Sequence, residues 1–204
     1  MSFEASLMAE LDRLIPFDCE QIAVDQLQEY ILKEIKRLFA FVQFGEHEVL
    51  SIGSSARGTQ DVRPDVPDFD YWIVIDEQRW PMLAEQAQNA LAMLVSRLTN
   101  ARQVDEFIRL YWPDVSQYSL YLDAFRLFPR GDPVPDGYIG KIYASANHEE
   151  SRLLVDLGLI YSDFMSAGIR YTQHFHALTA TWSDTQRRHA CASIRLLKQI
   201  SKRL

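Results

Sequence analysis

The sequence has few of the features that mark secreted or membrane proteins. Its two cysteines, Cys19 and Cys191, lie at opposite ends of the chain and lack the spacing of a metal site, so we expect them to be reduced thiols. No run of about 18 apolar residues is present, and a membrane span is therefore not expected. The first residues also lack the basic and apolar regions of a signal peptide. We accordingly expect a cytoplasmic protein without a membrane partner.

Positive charge is also scarce over most of the chain. The formal net charge of the 204 residues is −7, which argues against a surface that binds nucleic acid without specificity. The segment from Thr185 to Leu204 is different: it has no acidic residue and contains Arg187, Arg188, Arg195, Lys198, Lys202 and Arg203. This basic segment is either a contact for an anionic ligand or the solvated face of a terminal helix.

Hydrophobic spacing and turn residues divide the first part of the chain into helices and strands. The predicted helices are Met1–Ile15, a longer helix that Asp18 caps, and a helix from Pro81 to about Leu98. The predicted strands are Glu48–Gly53, Phe69–Asp76, Val104–Trp112 and Gln117–Phe128. This length and pattern suit one domain, or a main domain with a smaller helical appendage.

The segment Pro129–Gly137 contains three prolines and two glycines in nine residues, a density that neither a helix nor a sheet tolerates. The pattern after it is helical: His148 to about Met165, a piece around residues 168–181, and a final helix capped by Ser183 or Asp184. The sequence therefore predicts an α+β fold. A small mixed or antiparallel sheet flanked by helices (residues 1–130) precedes a helical subdomain (residues 138–204).

The most informative stretch runs from Ser51 to Ile75, where two short motifs enclose a polar loop. The first is the Gly53-Ser54 turn, which would offer backbone N–H groups and a hydroxyl to a phosphate. The second is the pair Asp68 and Asp70, because residues two apart in a strand project to the same face. Converging carboxylates repel one another unless a cation such as Mg²⁺ neutralises them. Taken singly, the first motif could be only a turn and the second only a polar strand edge.

Together, the two motifs resemble the signature of nucleotidyltransferases of the DNA polymerase β superfamily. That signature reads Gly-Ser, a variable gap, and Asp-x-Asp between hydrophobic residues. The wording Gly-Ser-Ser-Ala-Arg-Gly-Thr at residues 53–59 is most similar to archaeal-type CCA-adding enzymes and, more loosely, to oligoadenylate and cyclic-dinucleotide synthases. The resemblance covers mainly Glu48–Phe128. It implies the nucleotidyltransferase fold and the transfer of a nucleoside monophosphate from an NTP to a hydroxyl, with release of pyrophosphate.

The resemblance also implies a third carboxylate on a neighbouring strand. Asp123 is the natural candidate, because it interrupts an otherwise hydrophobic strand in which an unpaired carboxylate is costly to bury; Asp105 is the alternative. Asp68, Asp70 and Asp123 would then hold two Mg²⁺ ions, or Mn²⁺. One ion lowers the pKa of the acceptor hydroxyl and the other stabilises the departing pyrophosphate. Asp123 would also take the proton of the acceptor.

Further residues are implied to hold the triphosphate. Gly53 and Ser54 would bind the β- and γ-phosphates. The segment Arg195-Leu196-Leu197-Lys198 is similar to a basic helix that contacts the triphosphate in family members. Lys198 and Arg195 would then neutralise the phosphates from the helical half, which places the active site in a cleft between the halves. Arg57 either touches a phosphate or acceptor or is merely solvated.

Other residues carry weaker functional interpretations. His174 and His176 could bind a metal, although a helix face or loop edge explains them better. His148 and Arg152 lie roughly where family members carry residues that face the base and ribose. An aromatic run could stack bases, although sheet core explains it better: Tyr111, Trp112, Tyr118, Tyr121, Phe125 and Phe128.

The sequence thus predicts a Mg²⁺-dependent nucleotidyltransferase with an NTP substrate. The acidic body of the chain favours a small molecule or a nucleotide as acceptor. One alternative is a terminal transferase that acts on tRNA or another RNA. A second is a nucleotide-binding module of the same fold without turnover. A third is a structural interaction domain, in which the turn and the carboxylates would lie far apart.

Overall fold

The computed structural model describes residues 3–42, 49–60, 66–75, 80–124, 137–146, 150–161 and 167–203. The helices in these residues are α1 Phe3–Arg13, α2 Asp18–Leu38, α3 Gly53–Ala56, α4 Trp80–Thr99, α5 Arg102–Tyr111, α6 Ala167–Thr179 and α7 Asp184–Arg203, with a short 3₁₀ helix at Ala40–Val42. The strands are β1 Val49–Ile52, β2 Phe69–Ile75, β3 Tyr118–Ala124, β4 Gly137–Ala146 and β5 Glu150–Tyr161. None of the described helices has both the length and the apolar character that a membrane crossing requires.

The strands form one mixed sheet in the order β1-β2-β5-β4-β3. Strands β2 and β5 are parallel, whereas the β1–β2, β4–β5 and β3–β4 pairs are antiparallel. Strand β5, the last of the described strands along the chain, therefore lies at the centre of the sheet between β2 and β4. The predicted α+β fold, with a small mixed sheet flanked by helices, is confirmed.

The main core lies on one face of this sheet, beneath α2, α4 and α5. Strand β2 buries Phe69, Tyr71 and Ile73 on that face, as the alternation of its residues predicts. Helix α2 packs on α4 and α5, and α4 packs on β3 and β4. The ring of Phe107 in α5 lies 5.4 Å from that of Phe69. With the core on this face, the residues that alternate with it, Asp70 among them, project to the opposite face.

The strand predicted at Val104–Trp112 is wrong, because residues 102–111 form helix α5. Val104, Phe107, Ile108 and Tyr111 are all buried, and their spacing is that of one helix face. Aromatic and β-branched composition favoured a strand there, but burial of this face against α2 favours the helix. The neighbouring prediction of a strand at Gln117–Phe128 is confirmed for β3 and lies outside the described residues after Ala124.

The helix predicted from His148 to about Met165 is also wrong. Residues 150–161 form β5, in which Val155 and Leu157 are buried on either side of Asp156. Strand β4, at residues 137–146, was not predicted at all. The division of the chain at residues 130–138 therefore does not separate the sheet from the helices, since β4 and β5 come after it. Helices α6 and α7 lie where helices are predicted.

Candidate active site

The Gly53-Ser54 turn and the Asp68–Asp70 pair are adjacent in the structure. Strand β1 runs antiparallel to β2, so Ile52 pairs with Asp70 and α3 begins beside it. Gly53 has a φ of 71°, and a Cβ added to it would lie 1.8 Å from Oδ2 of Asp70. Only glycine fits here, because a side chain would be strained and would collide with the carboxylate. The backbone of the turn therefore lies directly against Asp70.

A hydrogen bond joins the two motifs a second time. Ser55 of α3 is buried, and its hydroxyl donates to the backbone carbonyl of Asp68. Asp70 alternates with buried Phe69 and Tyr71, so its carboxylate projects away from the core. The carboxylate of Asp68 lies close enough to raise the pKa of Asp70. The turn and both carboxylates thus belong to one surface of the molecule.

The negative charge of Asp70 is poorly compensated at this surface. Burial raises the pKa of Asp70 to about 7, the carboxylates of Asp68 and then Asp156 add to the shift, and Arg57 and Lys141 oppose it. A carboxyl group with this pKa is only partly ionised near neutral pH. A cation bound beside it would restore the charged form. The negative charge of these carboxylates therefore favours the binding of a cation at this site.

A third carboxylate, that of Asp156, joins the site from β5. Asp156 is the Cα partner of Asp70 in the parallel β2–β5 pair, and paired residues of adjacent strands lie about 4.8 Å apart on the same face of a sheet. Its neighbours Val155 and Leu157 are buried in the core, so its carboxylate projects to the face that carries Asp70. Burial raises the pKa of Asp156, and Lys141 opposes the shift. Sequence reasoning missed this residue because its segment was predicted to be helical.

Asp156 has a cationic neighbour on its other side. Lys141 of β4 is its Cα partner, and Lys141 Nζ lies 3.4 Å from Oδ2 of Asp156. Across the seven described stretches of the chain, no group of three or more His, Cys, Asp or Glu side chains is arranged to hold a metal ion. The acidic site therefore consists of Asp68 and Asp70 beside the turn, together with an Asp156 that is paired with a lysine.

The prediction that Asp123 lies beside the acidic pair is wrong. Asp123 belongs to the edge strand β3, and both β4 and β5 lie between it and β2, a separation of about 14 Å at the usual strand spacing. Its side chain is exposed. Asp105, the alternative, lies on α5 and forms an ion pair of 2.8 Å with Arg109 at the surface. Neither residue is part of this site.

Arg57 follows α3 and is bound to α6. Its Nη1 atom donates to Oγ1 of Thr172 at 3.0 Å, and its guanidinium carbon lies 4.8 Å from the centroid of the Tyr171 ring. Burial lowers the pKa of Arg57, while Tyr171 and Asp70 raise it. Arg57 is therefore a partly buried cation that contributes positive charge near Asp70. His174 and His176, which lie on α6, are exposed.

Arg195 and Lys198 of α7 bind the backbone that follows the turn. Arg195 is 2% exposed, and its guanidinium donates to the carbonyl oxygens of Leu14, Gly58 and Gln60. Lys198 Nζ donates to the carbonyl of Thr59 at 3.0 Å. This arrangement contradicts a direct contact of Arg195 with a nucleotide, because a buried guanidinium that binds backbone carbonyls is closed to phosphate. For Lys198, which is partly exposed, a phosphate contact stays a prediction.

Two tyrosines stand on the same sheet face as the carboxylates. The rings of Tyr121 and Tyr143 are stacked, with centroids 5.7 Å apart and planes 18° from parallel. Tyr143 lies two residues along β4 from Lys141, and the pleat places both on one face. Tyr121 is 37% exposed, and its hydroxyl donates to Oγ of Ser151 at 3.0 Å. The sheet face that carries Asp156 therefore also carries an aromatic pair, of which Tyr121 is exposed to solvent.

The other residues named from the sequence have structural partners or are not described. Tyr111 and Trp112 are buried in the core. Arg152 places its guanidinium 4.5 Å from the ring centroid of Trp112 and forms an ion pair with Glu150. His148, Phe125 and Phe128 lie outside the described residues.

Comparison with known proteins finds similarity only to solved structures. No protein family model and no curated protein matches the sequence. Among solved structures, the chain is similar to the Cid1 poly(U) polymerase. A mutant form of that protein bound to MgATP has a TM-score of 0.48 and 13% sequence identity, over 95% of this chain and 46% of that chain. A form with MgGTP bound has a TM-score of 0.41 and 12% identity, over 83% and 40%.

This chain thus spans less than half the length of the polymerase chains it matches.

Proposed function

We propose that this chain forms the catalytic core of a metal-dependent nucleotidyltransferase, which transfers a nucleoside monophosphate from an NTP such as ATP to an acceptor hydroxyl and releases pyrophosphate. The observation that carries the proposal is the close approach of Gly53 to Asp70. It places a glycine-serine turn against a carboxylate whose pKa two more carboxylates, Asp68 and Asp156, help to raise. A phosphate tail held by the turn and a cation held by these acids would therefore share one site.

The donor set suits Mg²⁺ or Mn²⁺. Such hard cations take carboxylate oxygens and share the phosphates of a substrate. Burial and the neighbouring carboxylates raise the pKa of Asp70, and a bound cation would favour its ionised form. We assign Asp68 and Asp70 as the ligands, with Asp156 in the role predicted for Asp123. When bound, the cation lowers the pKa of the acceptor hydroxyl and neutralises charge on the departing pyrophosphate.

The turn would bind the phosphate tail through neutral groups and one cation. Backbone N–H groups of the turn and the hydroxyl of Ser54 would donate to the β- and γ-phosphates. The missing side chain of Gly53 allows this backbone to approach Asp70, and Arg57 adds positive charge nearby. Since phosphoryl transfer needs little covalent participation by the protein, positioning of the acceptor and the phosphate supplies most of the acceleration.

Asp156 would act on the acceptor side of the site. Across the sheet, the order is turn, Asp70, Asp156, so Asp156 is the carboxylate farther from the phosphate tail. A carboxyl group with a raised pKa is suited to accept a proton from a hydroxyl. Lys141 lies 3.4 Å away and would stabilise the ionised form.

The stacked pair of Tyr121 and Tyr143 favours an acceptor that carries a planar ring. The pair stands on the face of Asp156 and Lys141, on the side of the site away from the turn. Stacking of a base on an aromatic side chain contributes about 1–3 kcal/mol and tolerates any base. Of the acceptor classes considered, a nucleotide fits this surface better than a small molecule without a ring, and the 3′ end of an RNA is the alternative.

Transfer of label tests the proposal directly. The protein is incubated with each α-³²P-labelled NTP, with Mg²⁺ or Mn²⁺, and with acceptors of three kinds: nucleotides, short RNAs and small alcohols. We expect pyrophosphate release and labelled product for at least one NTP, and neither for the Asp70→Asn variant. Equal turnover by wild-type protein and Asp70→Asn would refute the mechanism.

A nucleotide-binding module without turnover is the second candidate. The observation that favours it is the ion pair between Lys141 and Asp156, which occupies the third carboxylate with a protein cation. Such a module would bind NTP in the presence of Mg²⁺ but release no pyrophosphate with any acceptor. The Lys141→Met variant separates the candidates further, because it removes this ion pair without changing the turn: an inactive module should gain pyrophosphate release, whereas an active enzyme should show it already in the wild type.

A further inference from the structure

One face of helix α7 is bonded to the segment that follows the turn. The residues on this face, Cys191, Arg195 and Lys198, are spaced four and three apart and therefore lie above one another. Together they reach four consecutive backbone carbonyls, those of Arg57, Gly58, Thr59 and Gln60. The Cys191 Sγ contact is 3.7 Å long, and those of Arg195 to Gly58 and Gln60 are 2.5 and 2.8 Å.

The same segment is bonded back to the turn. The N–H of Thr59 donates to the carbonyl of Ser54 at 2.8 Å, and the N–H of Gly58 donates to the carbonyl of Ser55 at 3.2 Å. Gly58 adopts a φ of 67°, which allows the chain to reverse at this point. The carbonyls of residues 57–60 thus face α7 while the N–H groups of Gly58 and Thr59 hold α3, so a shift of this segment would carry Ser54 and Ser55 with it.

Burial makes these bonds a strong constraint. Thr59 is 0%, Gln60 1% and Arg195 2% exposed. A buried carbonyl that loses its donor cannot turn to water, and its desolvation is not repaid. Arg195 also donates to the carbonyl of Leu14 at 2.8 Å, which anchors the guanidinium to the end of α1. The guanidinium therefore joins three segments of the chain at one buried point.

We propose that Arg195 is a positioning residue for the nucleotide site. By holding residues 58 and 60, it fixes the orientation in which the Gly53-Ser54 turn presents its N–H groups beside Asp70, and it does so without touching the nucleotide. This inference rests on the proposed function. Arginine suits the role because its planar fork can serve several carbonyls at once, whereas the ammonium of lysine is a single point of donation. Lys198 supports the same segment through Thr59.

The test compares Arg195→Lys and Lys198→Met with wild-type protein. Arg188→Lys is the matched control, because Arg188 lies on the same helix and forms a surface ion pair with Asp18 at 3.6 Å. Hydrogen exchange is followed for the peptide that covers residues 53–60 and for the rest of the chain. KM for the NTP and kcat are measured with Mg²⁺.

We expect Arg195→Lys to accelerate exchange selectively in residues 53–60. We also expect it to raise KM for the NTP about tenfold, the size of effect that loss of one hydrogen bond to a charged group produces, while kcat changes by less than about twofold. Lys198→Met should act in the same direction and more weakly, and Arg188→Lys should match wild type. Exchange that is unchanged, or that rises evenly along the chain, would overturn the positioning role, as would selective exchange with an unchanged KM. Wild-type protein that neither binds nor turns over any NTP would instead overturn the proposed function itself, and with it the role of Arg195.

Discussion

Asp70 and Asp156 are Cα partners across the parallel strands β2 and β5. They are far apart in the sequence and become neighbours because β5 lies between β2 and β4. Burial raises the pKa of both carboxyl groups, so each is kept where its charge is costly without a cation. Perturbed carboxylates that share one surface are more frequent at functional sites than elsewhere. Their pairing makes Asp156 the third acid of the proposed mechanism, and substitution of this residue tests that role.

We expect Asp156, and not Asp123, to be the third acid of the site. Asp156→Asn should lower the rate of pyrophosphate release by about 10²-fold or more, the usual contribution of a general base. Asp123→Asn should leave the rate unchanged, because Asp123 is exposed on the far edge of the sheet. Initial rates of the two variants at saturating NTP provide the comparison. A lower rate for Asp123→Asn than for Asp156→Asn would assign the role to Asp123 and refute the proposed site.

The stability of the metal-free protein should depend on pH in a stated direction. The unfolded chain ionises Asp70 near its ordinary pKa of about 3.9, whereas the folded protein holds the proton up to about pH 7. Between these values the folded state binds more protons than the unfolded state, so the free energy of unfolding falls as the pH rises. One such group contributes a slope of at most about 1.4 kcal/mol per pH unit. Denaturant unfolding in EDTA at pH 4.5, 6 and 7.5 measures it.

Asp70→Asn is the control for this pH dependence. The variant has no ionisable group at that position, so its stability should fall less between pH 4.5 and 7.5 than that of wild type. Mg²⁺ should stabilise wild-type protein more at pH 7.5 than at pH 5, because protons and the cation compete for Asp70. A Mg²⁺ effect of equal size in Asp70→Asn would show that the cation binds elsewhere.

The two glycines with positive φ provide a matched pair of substitutions. Gly53 and Gly58 have φ values of 71° and 67°, so alanine at either position incurs a similar backbone penalty of about 1–2 kcal/mol. A Cβ at Gly58 meets no heavy atom within 4 Å, whereas a Cβ at Gly53 meets the Asp70 carboxylate. Gly53→Ala should therefore weaken Mg²⁺-dependent NTP binding far more than Gly58→Ala, as measured by calorimetry. Equal losses would mean that the contact with Asp70 does not matter.

The tyrosine pair should affect the acceptor and not the NTP. Tyr143→Leu removes the ring that stacks on Tyr121 and should raise KM for a nucleotide acceptor by about tenfold, in line with the loss of 1–2 kcal/mol of stacking. KM for the NTP should stay unchanged. Tyr143→Phe keeps the ring and serves as the control. A variant that changes only the KM of the NTP would assign the pair to the incoming base instead.

The turn and the first two acids could be predicted because their arrangement is local. An antiparallel strand follows the loop after Gly53, and alternation in β2 fixes which side chains leave the core. The third acid could not be predicted in this way. Asp123 and Asp156 each interrupt a hydrophobic strand, in Leu122-Asp123-Ala124 and Val155-Asp156-Leu157. The two patterns are equivalent until the strand order is known, and that order depends on contacts between distant segments.

Two other predictions, those for α5 and Arg195, were wrong because the outcome depends on tertiary packing. In α5, strand-favouring composition hid a helical spacing that burial against α2 decides. For Arg195, a basic residue near the end of an acidic chain suggested an anionic ligand, and the charge is in fact directed at backbone carbonyls. Sequence gives the charge of a side chain, but its partners depend on tertiary packing.

The central place of β5 has a consequence for synthesis of the protein. Until residues 150–161 have been synthesised, the β1–β2 and β3–β4 pairs lack the strand that joins them into one sheet. The emerging polypeptide therefore holds two unfinished edges and lacks Asp156, and pairings between distant segments of this kind form slowly. Assembly of the acidic site must therefore wait for β5, the strand that places Asp156 beside Asp70.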